Sequence, residues 1–296
     1  MTQQATAALL PDGRRLHLHH GPIDIIIDGQ GDGLTRAYKS AAQRFSTILT
    51  ELSDELVQLR KPFDADRAFN GFVARRMKAA VAPFHAGFIT PMAAVAGSVA
   101  DEVLDHAVSG GGLDKLTVNN GGDIAFFLNG GESLTAAVAG LTENRVSVSV
   151  DDPWRGMATS GWGGRSHSLG IADTVTVLAI NAALADAAAT MIANAIDLPG
   201  HPSVRRTPAR DLAVESDLGD RLVTTAVGDL RPDEIDQALA SGEVLAQSLM
   251  DRQLIGAAIL SLKNAVRIVQ APATGKSDHA RLHAPQNADL HRGHRP

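Results

Sequence analysis

Cysteine is absent from the 296 residues. That excludes disulfides, thiolate metal sites, iron–sulfur clusters and a Cys nucleophile. Aromatic residues are scarce at 4%, against 44% hydrophobic residues overall, so the core must be mostly Ala, Val, Leu and Ile. An excess of basic charge is also lacking. Lys plus Arg is 27 and Asp plus Glu is 33, a formal net charge of −6, which argues against nucleic acid as a partner. A local basic pocket for a phosphate stays open. No apolar stretch reaches the roughly 18 residues of a membrane span. The richest, Thr174–Asp197, is broken by Asn181, Asp186 and Asn194. The first residues lack both the basic start and the apolar run of a signal peptide. With no Cys, a lipoprotein anchor is not expected either. The expectation is a soluble, cytoplasmic protein away from membranes.

What is present divides into a loose tail over residues 1–13, one domain over 14–270 and a disordered His-rich tail over 271–296. The last holds His279, His283, His291 and His294 among Pro, Arg, Asp and Asn, a composition that cannot bury enough surface to order itself. Within the domain, Leu16–His20 and Ile23–Asp28 read as strands around a Gly21-Pro22 turn. Apolar residues from Ala37 to Leu59 recur at three- and four-residue steps, predicting a long amphipathic helix over Leu34–Arg60. Further helices are predicted over Ala68–Ala82, Pro91–Val108, Asn181–Ala195 and Asp233–Asp251. Strands are predicted over Leu116–Val118, Ile124–Leu128, Leu134–Ala139, Arg145–Val150 and Thr174–Ala179. Asp151–Gly170 reads as one long Gly/Ser/Thr-rich loop, and Pro199–Asp220 as polar and irregular. Gly256–Leu262 and Ala265–Gln270 form a terminal hairpin. Hairpin neighbours mixed with helices favour an α+β fold over a doubly wound parallel sheet.

Four segments gather chemistry. Around Thr90-Pro91, a capping Thr and a first-turn Pro open a helix of small residues, an arrangement that leaves main-chain N–H groups free for a phosphate. Asn119-Asn120-Gly121-Gly122-Asp123 reads as a hairpin turn on local grounds; alternatively Asn120 and Asp123 form the polar lip of a pocket. Ala158–Ser168 is dense in donors. There Arg165 is suited to a phosphate, Trp162 to stacking on a ring and His167 to moving a proton. A serine nucleophile is disfavoured, because Gly164-Arg165-Ser166-His167-Ser168 breaks the G-x-S-x-G elbow at its last position. Finally, Asp186 and Thr190 stand four apart on one helix face, with Asn194 continuing the line. A carboxylate, a hydroxyl and an amide in a row are hard oxygen ligands suited to Mg²⁺ beside a phosphate. The plainer reading is three polar groups bonding a neighbouring element.

Taken in order, these segments resemble the ApbE-like superfamily, whose best-known members are FAD:protein FMN transferases. Ala185-Asp186-Ala187-Ala188-Ala189-Thr190 is similar to its A-D-A-x-A-T metal helix, and Asn120-Gly121-Gly122-Asp123-Ile124 to its N-x-G-G-D-I turn. Ala158-Thr159-Ser160-Gly161 is similar to its T-S-G segment, Asp173–Val177 to the strand that follows, and Gly97–Asp101 to the end of a further helix. The likeness covers residues 85–197, and the Gly-Trp-Gly-Gly-Arg-Ser run resembles a short cytoplasmic branch. The resemblance implies an α+β fold of paired T-fold-like units with antiparallel sheets and packed helices. It also implies Mg²⁺ held by Asp186, Thr190 and a main-chain carbonyl near Val95. Thr90, Asn120, Gly121, Gly122, Asp123, Thr159, Ser160 and Trp162 would line a site for FAD. The reaction implied is FMN transfer from FAD to a hydroxyl of an acceptor flavoprotein.

The sequence departs from the family pattern at two places. Ala96 stands where the family has a helix Lys, and the H-x-x-x-P-x-T-G stretch is missing, with only His167 left to stand in for its His. Two alternatives therefore stay open. One is a flavin- or nucleotide-binding protein without turnover. The other is a different phosphate-ester transferase or hydrolase that uses His167 and Arg165 as catalytic groups. The small-residue helices and the terminal hairpin are compatible with a homodimer.

Overall fold

Leu16, Leu18, Ile23, Ile25 and Ile27 are buried while the side chains between them are less so, the period of two that an extended chain with one inward face requires. In the computed structural model, which describes residues 4–138, 141–164, 166–270 and 281–283, this segment lies behind a first strand, β1 (Thr6–Leu9). It forms β2 (Leu16–His20) and β3 (Ile23–Gln30). β1 corrects the expectation of a loose tail up to residue 13. It pairs antiparallel with β2, Thr6 opposite His19 and Leu9 opposite Leu16. All four of its side chains are exposed, so main-chain hydrogen bonds hold it and no apolar pattern announces it.

The helix α1 (Leu34–Leu59) follows, burying Ala37, Ala41, Phe45, Ile48, Leu52 and Leu59 along one stripe. α2 (Phe72–Val81) starts later than expected. The Glu55 carboxylate of α1 accepts the N–H groups of Asn70 and Gly71, both at 2.8 Å, and so fixes where α2 begins. A 3₁₀ turn over Pro91–Ala94 leads into α3 (Val95–Val108). Strands β4 (Lys115–Asn120), β5 (Asp123–Leu128), β6 (Ser133–Val138), β7 (Leu141–Ser149), β8 (Gly156–Ser160) and β9 (Thr174–Ala179) come next. β8 lies inside the stretch expected to be one long loop. Its first three residues are all buried, so it carries no alternation to read. α4 (Ala182–Ala195) is followed by β10 (Val204–Pro208), a single turn α5 (Ala209–Leu212) and β11 (Leu222–Val227), where an irregular segment was expected. α6 (Pro232–Asp251), β12 (Ile255–Leu262) and β13 (Ala265–Gln270) complete the domain. Of the expected disordered tail, Arg281–His283 forms β14 against β7, and the rest lies outside the described residues.

Nine strands form one sheet in the order β1-β2-β3-β4-β5-β8-β9-β12-β13, antiparallel throughout. Two halves meet where β5 pairs β8, and each runs hairpin, helices, hairpin. Helices cover one face in two apolar clusters. One is centred on α1, α2 and α3 over β2–β5, the other on α4 and α6 over β8, β9 and β12. The small sheet β14-β7-β6 packs on the opposite face, where Phe126, Leu128, Val146, Val148 and Leu178 are buried together. The fold is α+β, as expected. Among the described residues no helix is long and apolar enough to cross a membrane.

The two halves come closest where α4 begins. A Cβ on Gly97 would stand 2.2 Å from the Ala182 carbonyl oxygen, and one on Gly156 would stand 2.0 Å from the Ala182 nitrogen. Two glycines thus let β8 and α3 approach the successive peptides on either side of Ala182. Gly97→Ala and Gly156→Ala should each cost about 1–3 kcal/mol of stability through overpacking. Urea unfolding measures this, and variants as stable as the wild type would show that the contact yields freely.

Candidate functional site

Asp101 and Asp186 face in opposite directions across the contact between α3 and α4. The Asp101 carboxylate, on α3, accepts the N–H groups of Ala182 at 3.0 Å and Ala183 at 2.9 Å, at the start of α4. The Asn181 side chain accepts that of Leu184 at 2.8 Å and caps the same end. In return the Asp186 carboxylate, on α4, accepts the N–H of Gly97 at 3.1 Å, in the first turn of α3. Each helix supplies the anion for the other's positive end. Burial pushes Asp101 up to about 6, against the pull of those two N–H groups and of Arg76. Asp186 is raised well above the usual carboxylate range, first by burial and then by the charge of Asp123, although the N–H groups of Gly97 and Ala96 oppose the shift.

Asp186 forms part of the wall of a cavity of about 710 Å³. Its polar lining includes Asn120, Asp123, Thr159, Ser160, Asp186 and Thr190. Its apolar lining includes Leu49, Leu52, Leu56 and Leu59 of α1 together with Met92 and Val99. Gly121, Gly122 and Val95 also line it. Three segments that are distant in sequence therefore converge in one cavity, among them Asp186 and Thr190 from one face of α4.

The polar lining is braced by its own hydrogen bonds. The Asn120 amide donates to the Ala96 carbonyl at 3.0 Å, tying β4 to α3. Asp123 accepts the Thr159 N–H at 3.3 Å, tying β5 to β8. The hydroxyls of Thr159 and Thr176 meet at 2.8 Å. Burial and the nearby charge of Asp123 thus raise the cost of ionising Asp186 in this recess. A hydroxyl and main-chain groups complete the donor set. Among the described residues no cluster of three His, Cys, Asp or Glu side chains is suited to a metal. A cation held here would have to draw on carboxylate, hydroxyl, carbonyl, water and ligand oxygens.

Other expected site residues stand elsewhere. Thr90 makes no cap hydrogen bond at the helix start; its hydroxyl donates instead to Asp217, and it is buried outside the cavity lining. Trp162 donates its indole N–H to Asp173 at 3.0 Å and does not line the cavity. Asn194 accepts from the Ser168 hydroxyl at 3.2 Å and the Leu169 N–H at 2.9 Å, the plainer reading of its position. His167 is exposed and is not among the lining residues, although its neighbours Gly164 and Ser166 are. Arg165 lies outside the described residues. Arg60 and the α1 leucines line the cavity although the sequence pattern marked the leucines only as core and gave Arg60 no signal.

Comparison with known proteins follows the same lines. The family model described as AbpE bacteria matches residues 7–268, in agreement with the resemblance carried by the four segments. A UPF0280 protein of Methanothrix thermoacetophila is 38% identical over 129 residues, covering 42% of this chain and 52% of that protein. A UPF0280 protein of Archaeoglobus fulgidus is 30% identical over 177 residues, covering 57% of this chain and 71% of its own. The chain spans about half the length of the curated relatives that match at 38% identity. Among solved structures, the apo form of the flavinyl transferase ApbE from Pseudomonas stutzeri aligns with a TM-score of 0.45 and 12% identity, over 91% of this chain and 96% of that one.

Asp101→Ala leaves two buried N–H groups at the start of α4 without an acceptor and should cost about 2 kcal/mol at neutral pH. The folded protein holds the Asp101 proton more tightly than the unfolded chain. The part of its contribution that depends on the proton is therefore complete below 3.8 and is lost as pH rises through about 6, whereas its hydrogen bonds to the two N–H groups remain. Asp101→Asn should remove that slope. Urea unfolding as a function of pH tests both, and an unchanged slope in Asp101→Asn would contradict the assignment.

Proposed function

The chain belongs to the AbpE bacteria family, and from that membership we propose that its cavity binds a flavin nucleotide with Mg²⁺ and transfers FMN from FAD to a protein hydroxyl. The observation that carries this reading is the convergence of Asp186 and Thr190 with Asn120, Asp123, Thr159 and Ser160 in one cavity. The α1 leucines suit a flat ring, and the polar groups suit a diphosphate.

Asp186, Thr190 and the main chain at Val95 would hold the ion, with Asp123 close enough to share its charge. When bound, Mg²⁺ neutralises negative charge on the diphosphate oxygens as the bond between the two phosphates breaks. Asn120 and Asp123 fix the β4–β5 turn against α3 and β8 through the hydrogen bonds already described. Thr159 and Ser160 line the same cavity beside Asp123. The leucines of α1 would exclude water from a bound ring. In the transfer, the acceptor hydroxyl oxygen bonds to the flavin-side phosphorus, AMP leaves with the bridging oxygen, and the hydroxyl proton is released.

One observation favours a second reading, a flavin-holding protein without turnover. Ala96 supplies no cation at the first turn of α3, and His167 does not line the cavity. Incubation of the protein with FAD, Mg²⁺ and candidate flavoprotein acceptors, followed by chromatography, separates the two. Transfer predicts AMP release that stops with EDTA and falls by about a hundredfold or more in Asp186→Ala. FAD binding with no AMP would leave the holding role. AMP release undiminished in Asp186→Ala would refute the assigned metal ligand.

A further inference from the structure

The cavity is poor in positive charge. Its described lining contains three carboxylates, Asp123, Asp173 and Asp186, and one cationic side chain, Arg60. The N-terminal turn of α3 offers little to an anion, because Gly97 already donates to Asp186. A phosphate-bearing ligand entering this recess needs a cation from somewhere else.

Arg60 follows the last residue of α1, with its N–H bonded to the Leu56 carbonyl at 3.0 Å. Leu56 and Leu59, beside it, line the same cavity. Its guanidinium pairs with Glu215, which is 77% exposed, whereas the Arg60 side chain is 31% exposed. An ion pair to so solvated a carboxylate is weak and readily exchanged. Glu215 lies on a strap between α5 and β11 that is fastened on its C-terminal side, by the bond from Thr90 to Asp217 and by Arg221 over the Phe88 ring at 3.2 Å. The strap thus keeps a replaceable partner on the one described cation of the cavity.

We propose that Arg60 is the anion-contacting residue of this cavity, exchanging Glu215 for the phosphate group of a bound nucleotide. The proposal deepens the flavin-nucleotide reading and rests on it for the ligand class. A guanidinium suits the role because it meets two phosphate oxygens at once, a stronger contact than the surface pair it gives up. Glu215 then competes with the ligand, and its removal favours binding.

The test is calorimetry on the full chain with Mg²⁺, using FAD, riboflavin and inorganic pyrophosphate as probes. Arg60→Met keeps the apolar stem and removes the charge. It should weaken FAD and pyrophosphate roughly ten- to hundredfold and leave riboflavin within about twofold. Glu215→Gln, which keeps Arg60 in place, should tighten both anions. Arg60→Met binding FAD as tightly as the wild type overturns the proposal. So does an equal loss of FAD and riboflavin, which would mark a packing role. If the wild type binds pyrophosphate but no flavin, the flavin reading fails while the pyrophosphate comparison still decides the role of Arg60. A wild type that binds neither anion overturns the assignment of Arg60 as well.

Discussion

Two carboxylates exchanged between two helix starts hold the centre of this molecule. Asp101 of α3 accepts the first N–H groups of α4, and Asp186 of α4 accepts an N–H in the first turn of α3. Each bond satisfies donors that a helix cannot satisfy alone, in a setting where an unmet donor costs about 1–3 kcal/mol. The arrangement works only if the two helices come very close, which is why a glycine, Gly97, faces the Ala182–Ala183 peptide, while Gly156 of β8 packs on the peptide before it. It also joins the two halves of the nine-stranded sheet, since α3 belongs to the first half and α4 to the second.

The same exchange locates the chemistry. Asp186 reaches across to α3 from the wall of a cavity, one turn from Thr190 on the same helix and near Asp123 on β5. Burial beside a second carboxylate makes its ionisation costly, and a divalent cation is the partner that would relieve both. The α1 leucines add apolar lining to the same cavity. Recess, hard oxygen donors and apolar lining are what the proposed flavin-nucleotide site requires.

Much of this was legible in the sequence, for reasons that differ by element. The α1 stripe and the alternation of β2 and β3 follow from burial on one face, so periodicity finds them. β8 escaped because it is central and buried without alternation, and β1 because it is held by main-chain bonds with no apolar face. The four-residue step from Asp186 to Thr190 put both on one face, and both line the cavity. Extending that line to Asn194 failed, since another turn of helix carries it to the loop at Ser168. Trp162 was chosen for its ring, but its indole N–H is engaged by Asp173, a tertiary contact that no spacing announces. Thr90 has the residue type of a cap, yet a strap residue far along the chain takes its hydroxyl. Arg60 carried no local signal, because its meaning depends on which cavity the end of α1 reaches.

Crystals grown with FAD and Mn²⁺ in place of Mg²⁺ decide whether Asp186, Thr190 and their neighbours form one metal and nucleotide site, because the anomalous signal of manganese locates the ion without reference to activity. Manganese is expected against the Asp186 carboxylate and Thr190 hydroxyl, with flavin in the same cavity. Manganese and flavin bound elsewhere, with Asp186 engaged only by α3, would contradict it.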